Sequence, residues 1–173
     1  MVNRLLIIFT ALFLSFYIIK SVESEDTNMK LTSPQFKDNE MMPKKFTCQG
    51  EGVNPALIIE NTPSNAKSIA LICDDPDAVG GATFVHWVVF NIPPVTTEIK
   101  ENSLPGMPGI NSGGRKGYYP PCPPYGKHRY VFKAYALDTP LSLPDTTDSQ
   151  GLENAMKGHT LDKTELTGLY EKH

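Results

Sequence analysis

The sequence predicts a mainly β protein, a β-sandwich core with one or two short C-terminal helices, and three observations predict it. Fifteen prolines and thirteen glycines are spread among short apolar runs, which marks frequent turns rather than long helices. Those runs are rich in β-branched and aromatic residues and are bounded by Pro, Asn and Asp. One of them, Arg129–Leu137, sets Tyr130, Phe132, Ala134 and Ala136 against Arg129, Val131, Lys133, Tyr135 and Leu137, the two-residue alternation of a strand.

Residues 1–24 stand apart from that core. Arg4 precedes an apolar run of 15 residues, Leu5 to Ile19, and Val22-Glu23-Ser24 follows it. This is the layout of a cleavable secretory signal. The run is also shorter than the ~20 residues a spanning helix needs. Cleavage near Ser24 leaves residues 25–173 as one domain without a membrane span, in a secreted or periplasmic, oxidising setting.

Along the domain, residues 25–54 are turn-rich, with Phe36 and Phe46 as isolated apolar anchors. Ala56–Glu60 and Ser68–Cys73 read as strands. Phe84–Ile92 reads as a strand buried on both faces, stopped by Pro93-Pro94. Residues 101–127 are Gly- and Pro-rich without periodicity, and loops of that length are usually functional or disordered. Asp148, Ser149 or Gln150 caps a helix through Leu152, Ala155 and Met156 that Gly158 ends. A second helix is expected from Leu161, carrying Leu166, Leu169 and Tyr170.

A length of 173 residues suits one domain with its own core. The formal charge of −3 offers no basic face for nucleic acid. Three cysteines leave at least one unpaired, unless two chains join as a homodimer. Cys73 lies in the apolar run Ile69–Cys73 and reads as a buried thiol. Cys48 and Cys122 lie in turn-rich segments and are the candidate disulfide, although sequence does not fix connectivity. The absence of any Cys-x-x-Cys pair argues against structural zinc.

Three segments place polar side chains at strand edges. Asp74-Asp75-Pro76-Asp77 leaves one apolar run, His86-Trp87 opens another, and Pro120-Pro121-Cys122-Pro123-Pro124 leads into His128 and Tyr130. Pro76 pushes Asp75 toward an extended backbone. His128 and Tyr130, two apart on a strand, share a face. Four prolines in five residues make a rigid wall, which lowers the ordering cost of binding. Taken singly, each feature has a bland reading as turn, core residue or connector. Together they describe a small polar pocket of Asp75, Asp77, His86, Pro123, Pro124, His128 and Tyr130.

These blocks resemble the signatures of the phosphatidylethanolamine-binding protein (PEBP) family. Asp75-Pro76-Asp77-Ala78, His86-Trp87 and Cys122-Pro123-Pro124-x-Gly126-x-His128-Arg129-Tyr130 carry the likeness. Phe46-Thr47-Cys48-x-Gly50-Glu51, Asn91-Ile92-Pro93 and Ala155-Met156-x-Gly158-His159 point to its bacterial and archaeal, Raf kinase inhibitor-like branch. The resemblance covers about residues 30–171. It implies antiparallel sheets with Greek-key connections and an anion pocket built from the residues just named. Val79 stands where the family commonly has proline, and Pro120 where the branch often has glycine.

Carboxylates fit an anion pocket if one of a close pair holds a proton, or if one favours an imidazolium, or if one takes the ammonium of a zwitterionic head group. The expected function is therefore a non-catalytic binding module for phosphoryl head groups such as phosphorylethanolamine, or related small anions, with no cofactor. One alternative is a protein-interaction role, such as a secreted protease inhibitor acting through the loop Glu101–Arg115. Another is a metal-dependent hydrolase, which the absence of His-Glu-x-x-His and Gly-x-Ser-x-Gly disfavours.

Overall fold

The structure, a computed structural model, describes residues 27–173; the expected signal at 1–24 lies outside the described residues. Among the described residues nine strands and one α-helix follow in chain order. They are β1 (Lys30–Thr32), β2 (Glu40–Met41), β3 (Leu57–Glu60), β4 (Ser68–Asp75), β5 (Phe84–Ile92), β6 (Glu98–Ile99), β7 (Met107–Pro108), β8 (Lys127–Leu137), α1 (Ser149–Met156) and β9 (Thr160–Glu171). They form two sheets, one of three strands in the order β1-β3-β6 and one of six in the order β2-β9-β8-β4-β5-β7.

The centre of the larger sheet is what its sequence demands. Every residue of β4 is buried, because β5 and β8 pair with its two edges and an apolar cluster covers each of its faces. The inward residues Ile69, Leu71 and Cys73 of β4, Trp87 and Val89 of β5, and Tyr130, Phe132 and Ala134 of β8 join one apolar cluster. Leu31, Leu57, Ile59 and Ile99 of the smaller sheet belong to the same cluster. Phe36 packs against Phe132 at 6.2 Å between ring centroids, and Phe46 is buried. Cys73 is a free, buried thiol, and burial raises its pKa well above the ordinary thiol range.

The outer face of the large sheet is covered by α1. Asp148 caps it, its side chain accepting a hydrogen bond from the Gly151 N–H at 2.8 Å. Leu152 and Met156, four apart and so on one face, pack against Ala70, Ile72, Val88 and Phe90. Burying two such side chains contributes about 1.5–3 kcal/mol each.

The expected second helix is a strand. Residues 160–171 form β9, paired antiparallel with β8 over almost its whole length. Along it Leu166, Gly168 and Tyr170 are buried in alternation, while Leu161 is exposed. The open edge of β8 has a row of backbone donors and acceptors that must be paired. That demand outweighs the weak helical spacing of four apolar residues. Gly168 also meets a packing need. A Cβ there would fall 2.3 Å from Met42 Cγ. The sheet is not wholly antiparallel either, since β2 joins β9 in parallel register, Glu40 beside Gly168.

The segment 101–127 is more anchored than its composition suggests. β7 pairs with β5, the Gly109 N–H bonds Val88 O, and Asn111 is buried. Cys48 and Cys122 form a disulfide with Cα atoms 5.4 Å apart. Beside it the Cys48 N–H donates to Pro121 O at 3.0 Å, so the proline segment is tied to the 3-10 turn region around Lys44–Phe46.

Candidate functional site

At one end of the large sheet the apolar inner face runs out into polar groups, and a cavity of about 280 Å³ opens there. Asp75 ends β4, Phe84 and His86 begin β5, and His128 and Tyr130 begin β8; Pro123 and Pro124 form a wall. Ala78, Val79, Tyr119 and Cys122 complete the lining. Six of the seven residues expected from the sequence therefore meet at one cavity.

A β-bulge aims His86. The register runs Cys73 opposite Trp87 and then Asp74 opposite Val85, leaving His86 unmatched. A bulge breaks the strict alternation of faces. Trp87 thus enters the core cluster while the neighbouring His86 lines the cavity, packed edge-on against Tyr130 at 5.1 Å between centroids.

Both imidazoles have one nitrogen committed to the protein. His86 Nδ1 lies 2.7 Å from the Tyr119 carbonyl, which can only accept, so Nδ1 carries the hydrogen. In return the Tyr119 N–H donates to His86 O at 2.8 Å. His128 Nδ1 lies 2.7 Å from Asp75 Oδ2, with both side chains buried. The other Asp75 oxygen accepts from the Asp77 N–H at 2.8 Å, an Asx turn across Pro76. Each neutral imidazole consequently offers a lone pair at Nε2. Among the described residues neither Nε2 has a hydrogen-bond partner, and no buried side-chain polar atom is unpartnered. Both Nε2 atoms are therefore open to solvent. Such a nitrogen bonds a phosphate oxygen only when it is protonated or when the phosphate brings the proton.

Burial holds the His86 pKa below the ordinary imidazole range, opposed in part by the Tyr119 carbonyl and by Asp75. Burial likewise pushes the Tyr130 phenol well above its usual range, with Asp75 adding to the effect. Tyr130 is neutral at any physiological pH and can donate.

Asp77 departs from the expected pocket. Its carboxylate sits at the rim rather than in the lining, held by Arg129 Nη2 at 2.7 Å and Nε at 2.9 Å and by the Arg129 backbone N–H at 3.0 Å. The guanidinium lowers its pKa to about 2. Asp74 is bound by Lys133 at 2.7 Å. The acids thus have separate partners, and the expected sharing of a proton between neighbouring carboxylates does not arise at Asp77. Among the described residues, no group of three or more His, Cys, Asp or Glu is placed to hold a metal ion.

Tyr119 and Phe84 were not legible as site residues. Phe84, two before His86, carried a signal only on the assumption of an unbroken strand. Tyr119 carried none, since its backbone contact with His86 is long-range. Val79, exposed at 54 %, lines the mouth. Pro120 packs near Gly52 instead, whose added Cβ would lie 3.3 Å from its Cγ.

Comparison with known proteins covers nearly the same span. The profile of the phosphatidylethanolamine-binding protein family matches residues 32–171. A UPF0098 protein of Methanothermobacter thermautotrophicus is 44% identical over 151 residues, 83% of this chain and 99% of its own. One from Pyrococcus horikoshii is 46% identical over 163 residues, 86% of this chain and 79% of its own. Among solved structures, a Chlamydia trachomatis homolog of phosphatidylethanolamine-binding protein superposes with a TM-score of 0.83 at 41% identity, covering 85% of this chain and 99% of that one. Escherichia coli YbcL, a member of the same family, gives 0.78 at 26% identity, covering 84% and 99%.

Proposed function

The chain belongs to the phosphatidylethanolamine-binding protein family, and from that premise we propose that it is a binding module whose pocket takes the phosphoryl group of a small ligand such as phosphorylethanolamine. The observation that carries this reading is the pair of imidazoles fixed by Tyr119 O and Asp75 with both Nε2 atoms open. Protonated, each Nε2 donates to a phosphate oxygen, and the Tyr130 hydroxyl adds a third donor from the lining. Binding therefore takes up protons. Affinity rises as pH falls toward the imidazole range, so long as the phosphate keeps a negative charge.

The pocket is preformed, which suits binding. The disulfide, the prolines and the two-way His86–Tyr119 backbone clamp hold its walls before a ligand arrives. Neither a nucleophile elbow nor a zinc-protease motif is present in the sequence, so the reading is of binding without turnover. Export through residues 1–24 is part of the same proposal, supported by the Cys48–Cys122 disulfide, a bond that persists in oxidising compartments. We also read the two sheets as layers of a sandwich, on the strength of the apolar cluster they share.

The test is an NMR titration of the imidazole resonances of His86 and His128 with inorganic phosphate and with phosphorylethanolamine, at pH 6 and pH 7.5. Saturable shifts at both histidines, tighter at pH 6, are expected. No saturable shift at either pH would sink the reading.

A further inference from the structure

The cations nearest the pocket differ in what already holds them. Arg129 is bound to Asp77 and Lys133 to Asp74. Arg115 has no such partner. It is exposed, and among the described residues it makes neither an ion pair nor a side-chain hydrogen bond. Its guanidinium lies over the Tyr119 ring, with Cζ 4.8 Å from the centroid. Tyr119 is a wall of the pocket. Lys127 is also unpaired among the described residues, but it makes no ring or ionic contact with a lining side chain.

The turn that bears Arg115 is built, not loose. Asn111 is buried, and its Oδ1 accepts from the N–H groups of Gly113 at 2.9 Å and Arg115 at 3.2 Å. Its Nδ2 donates to Gly117 O at 3.0 Å, and its own N–H donates to Arg115 O at 2.9 Å. The turn is fastened to β5 by Ser112, whose N–H donates to Val85 O and whose Oγ accepts from the Val85 N–H. Gly113 allows it to sit on Tyr119, because a Cβ there would fall 2.4 Å from Tyr119 Cε2. One buried asparagine thus pins both backbone groups of Arg115, the N–H through its side chain and the carbonyl through its backbone, and the ring below orients the Arg115 side chain.

A guanidinium is charged at every physiological pH and matches the planar fork of a carboxylate or phosphate. The ionisable side chains lining the pocket include Asp75, two imidazoles and the Tyr130 phenol; Tyr130 stays neutral, and Asp77 at the rim is neutralised by Arg129. Among the described residues Arg115 is therefore the unpaired, lasting positive charge that rests on a lining side chain. We propose that Arg115 forms a second anion subsite beside the pocket, which takes the second anionic group of a short phosphomonoester whose phosphoryl group sits between the histidines. This rests on the phosphoryl-binding reading above and narrows it. The favoured ligand carries a second negative group, which phosphorylethanolamine lacks.

O-phosphoserine and phosphorylethanolamine make a matched pair, since they differ only by a carboxylate. Calorimetric titration of the purified protein with each, and with inorganic phosphate, tests the subsite. At low salt the protein is expected to bind O-phosphoserine about five-fold more tightly than phosphorylethanolamine, in the range of one exposed charge-assisted contact. Raising ionic strength from about 20 mM to about 0.5 M should shrink the ratio toward one. Arg115→Gln should abolish the ratio while leaving inorganic phosphate affinity unchanged, and Arg115→Lys should keep part of it. An unchanged ratio in Arg115→Gln, or no preference in the unmodified protein, overturns the proposal. So does an equal loss for all three ligands in Arg115→Gln, which would mean that Arg115 only props Tyr119. If inorganic phosphate itself fails to bind the unmodified protein, the pocket reading fails and this one with it; phosphate binding without preference removes the subsite alone.

Discussion

Asp75 accepts two hydrogen bonds with its two oxygens, and the deeper one joins it to His128 at 2.7 Å with both side chains 6% exposed. This contact sets which nitrogen of His128 is left for the cavity. The other Asp75 oxygen closes the turn at Asp77, so one carboxylate serves both the fold and the cavity.

Replacing Asp75 by alanine strands the His128 Nδ1–H in a buried place. The expected cost is about 1–3 kcal/mol, the penalty of an unmet buried donor. Asparagine recovers only part of this, having one acceptor oxygen where two donors converge. Urea denaturation checks the stability order, and ¹⁵N shifts of His128 report whether its tautomer is released.

His86 links stability to pH. Its folded pKa is depressed, chiefly by burial, so the unfolded chain binds the proton more readily. The contribution is complete above the ordinary value of about 6.5 and is lost as pH falls from there toward the folded value. Melting temperatures between pH 7.5 and pH 5 should fall more steeply for the protein than for His86→Phe. Added phosphate should flatten the decline, because the bound state uses the protonated ring.

Reduction of Cys48–Cys122 releases a loop of 74 residues in sequence separation. Loop entropy puts the destabilisation at about 4 kcal/mol. It also frees the Pro123–Pro124 wall, so phosphate affinity should fall in a reduced sample that is still folded. Melting curves with and without reductant, followed by titration below the melting point, check both. Buried Cys73 should stay unlabelled by a thiol reagent under native conditions.

Gly168→Ala drives a Cβ to within 2.3 Å of Met42 Cγ. The loss should be about 1 kcal/mol, at the low end for overpacking because methionine is flexible. Met42→Ala in the same chain should relieve it, so the two changes should be non-additive in a double-mutant cycle.

Much of the site was legible because its residues occur in short blocks whose local stiffness is itself the signal. Asp-Pro-Asp, the proline wall, and His128 with Tyr130 two apart on a strand need only local geometry to be read. The disulfide was only a candidate pair, since pairing depends on where two turns meet. Asp77 was placed in the pocket because its partner, Arg129, lies 52 residues away. Neither the bulge that turns His86 inward nor the clamp of Tyr119 upon it leaves a trace in residue type.

By itself the sequence determined the kind of fold, the strands at Phe84–Ile92 and at the heart of β4 and β8, and a helix through Leu152 and Met156 capped by one of Asp148, Ser149 or Gln150, of which the structure shows Asp148. These follow from interactions within a few residues: side-chain alternation, capping, and the stops imposed by proline. Only the tertiary structure decided that residues 160–171 are a strand, that Asp77 belongs to Arg129, and that Arg115 rests on the pocket's wall. Each depends on a partner far away in the chain, namely an unpaired strand edge, a guanidinium or an aromatic face. Hydrogen bonding and charge act through space, and the fold alone determines which groups come close enough to meet.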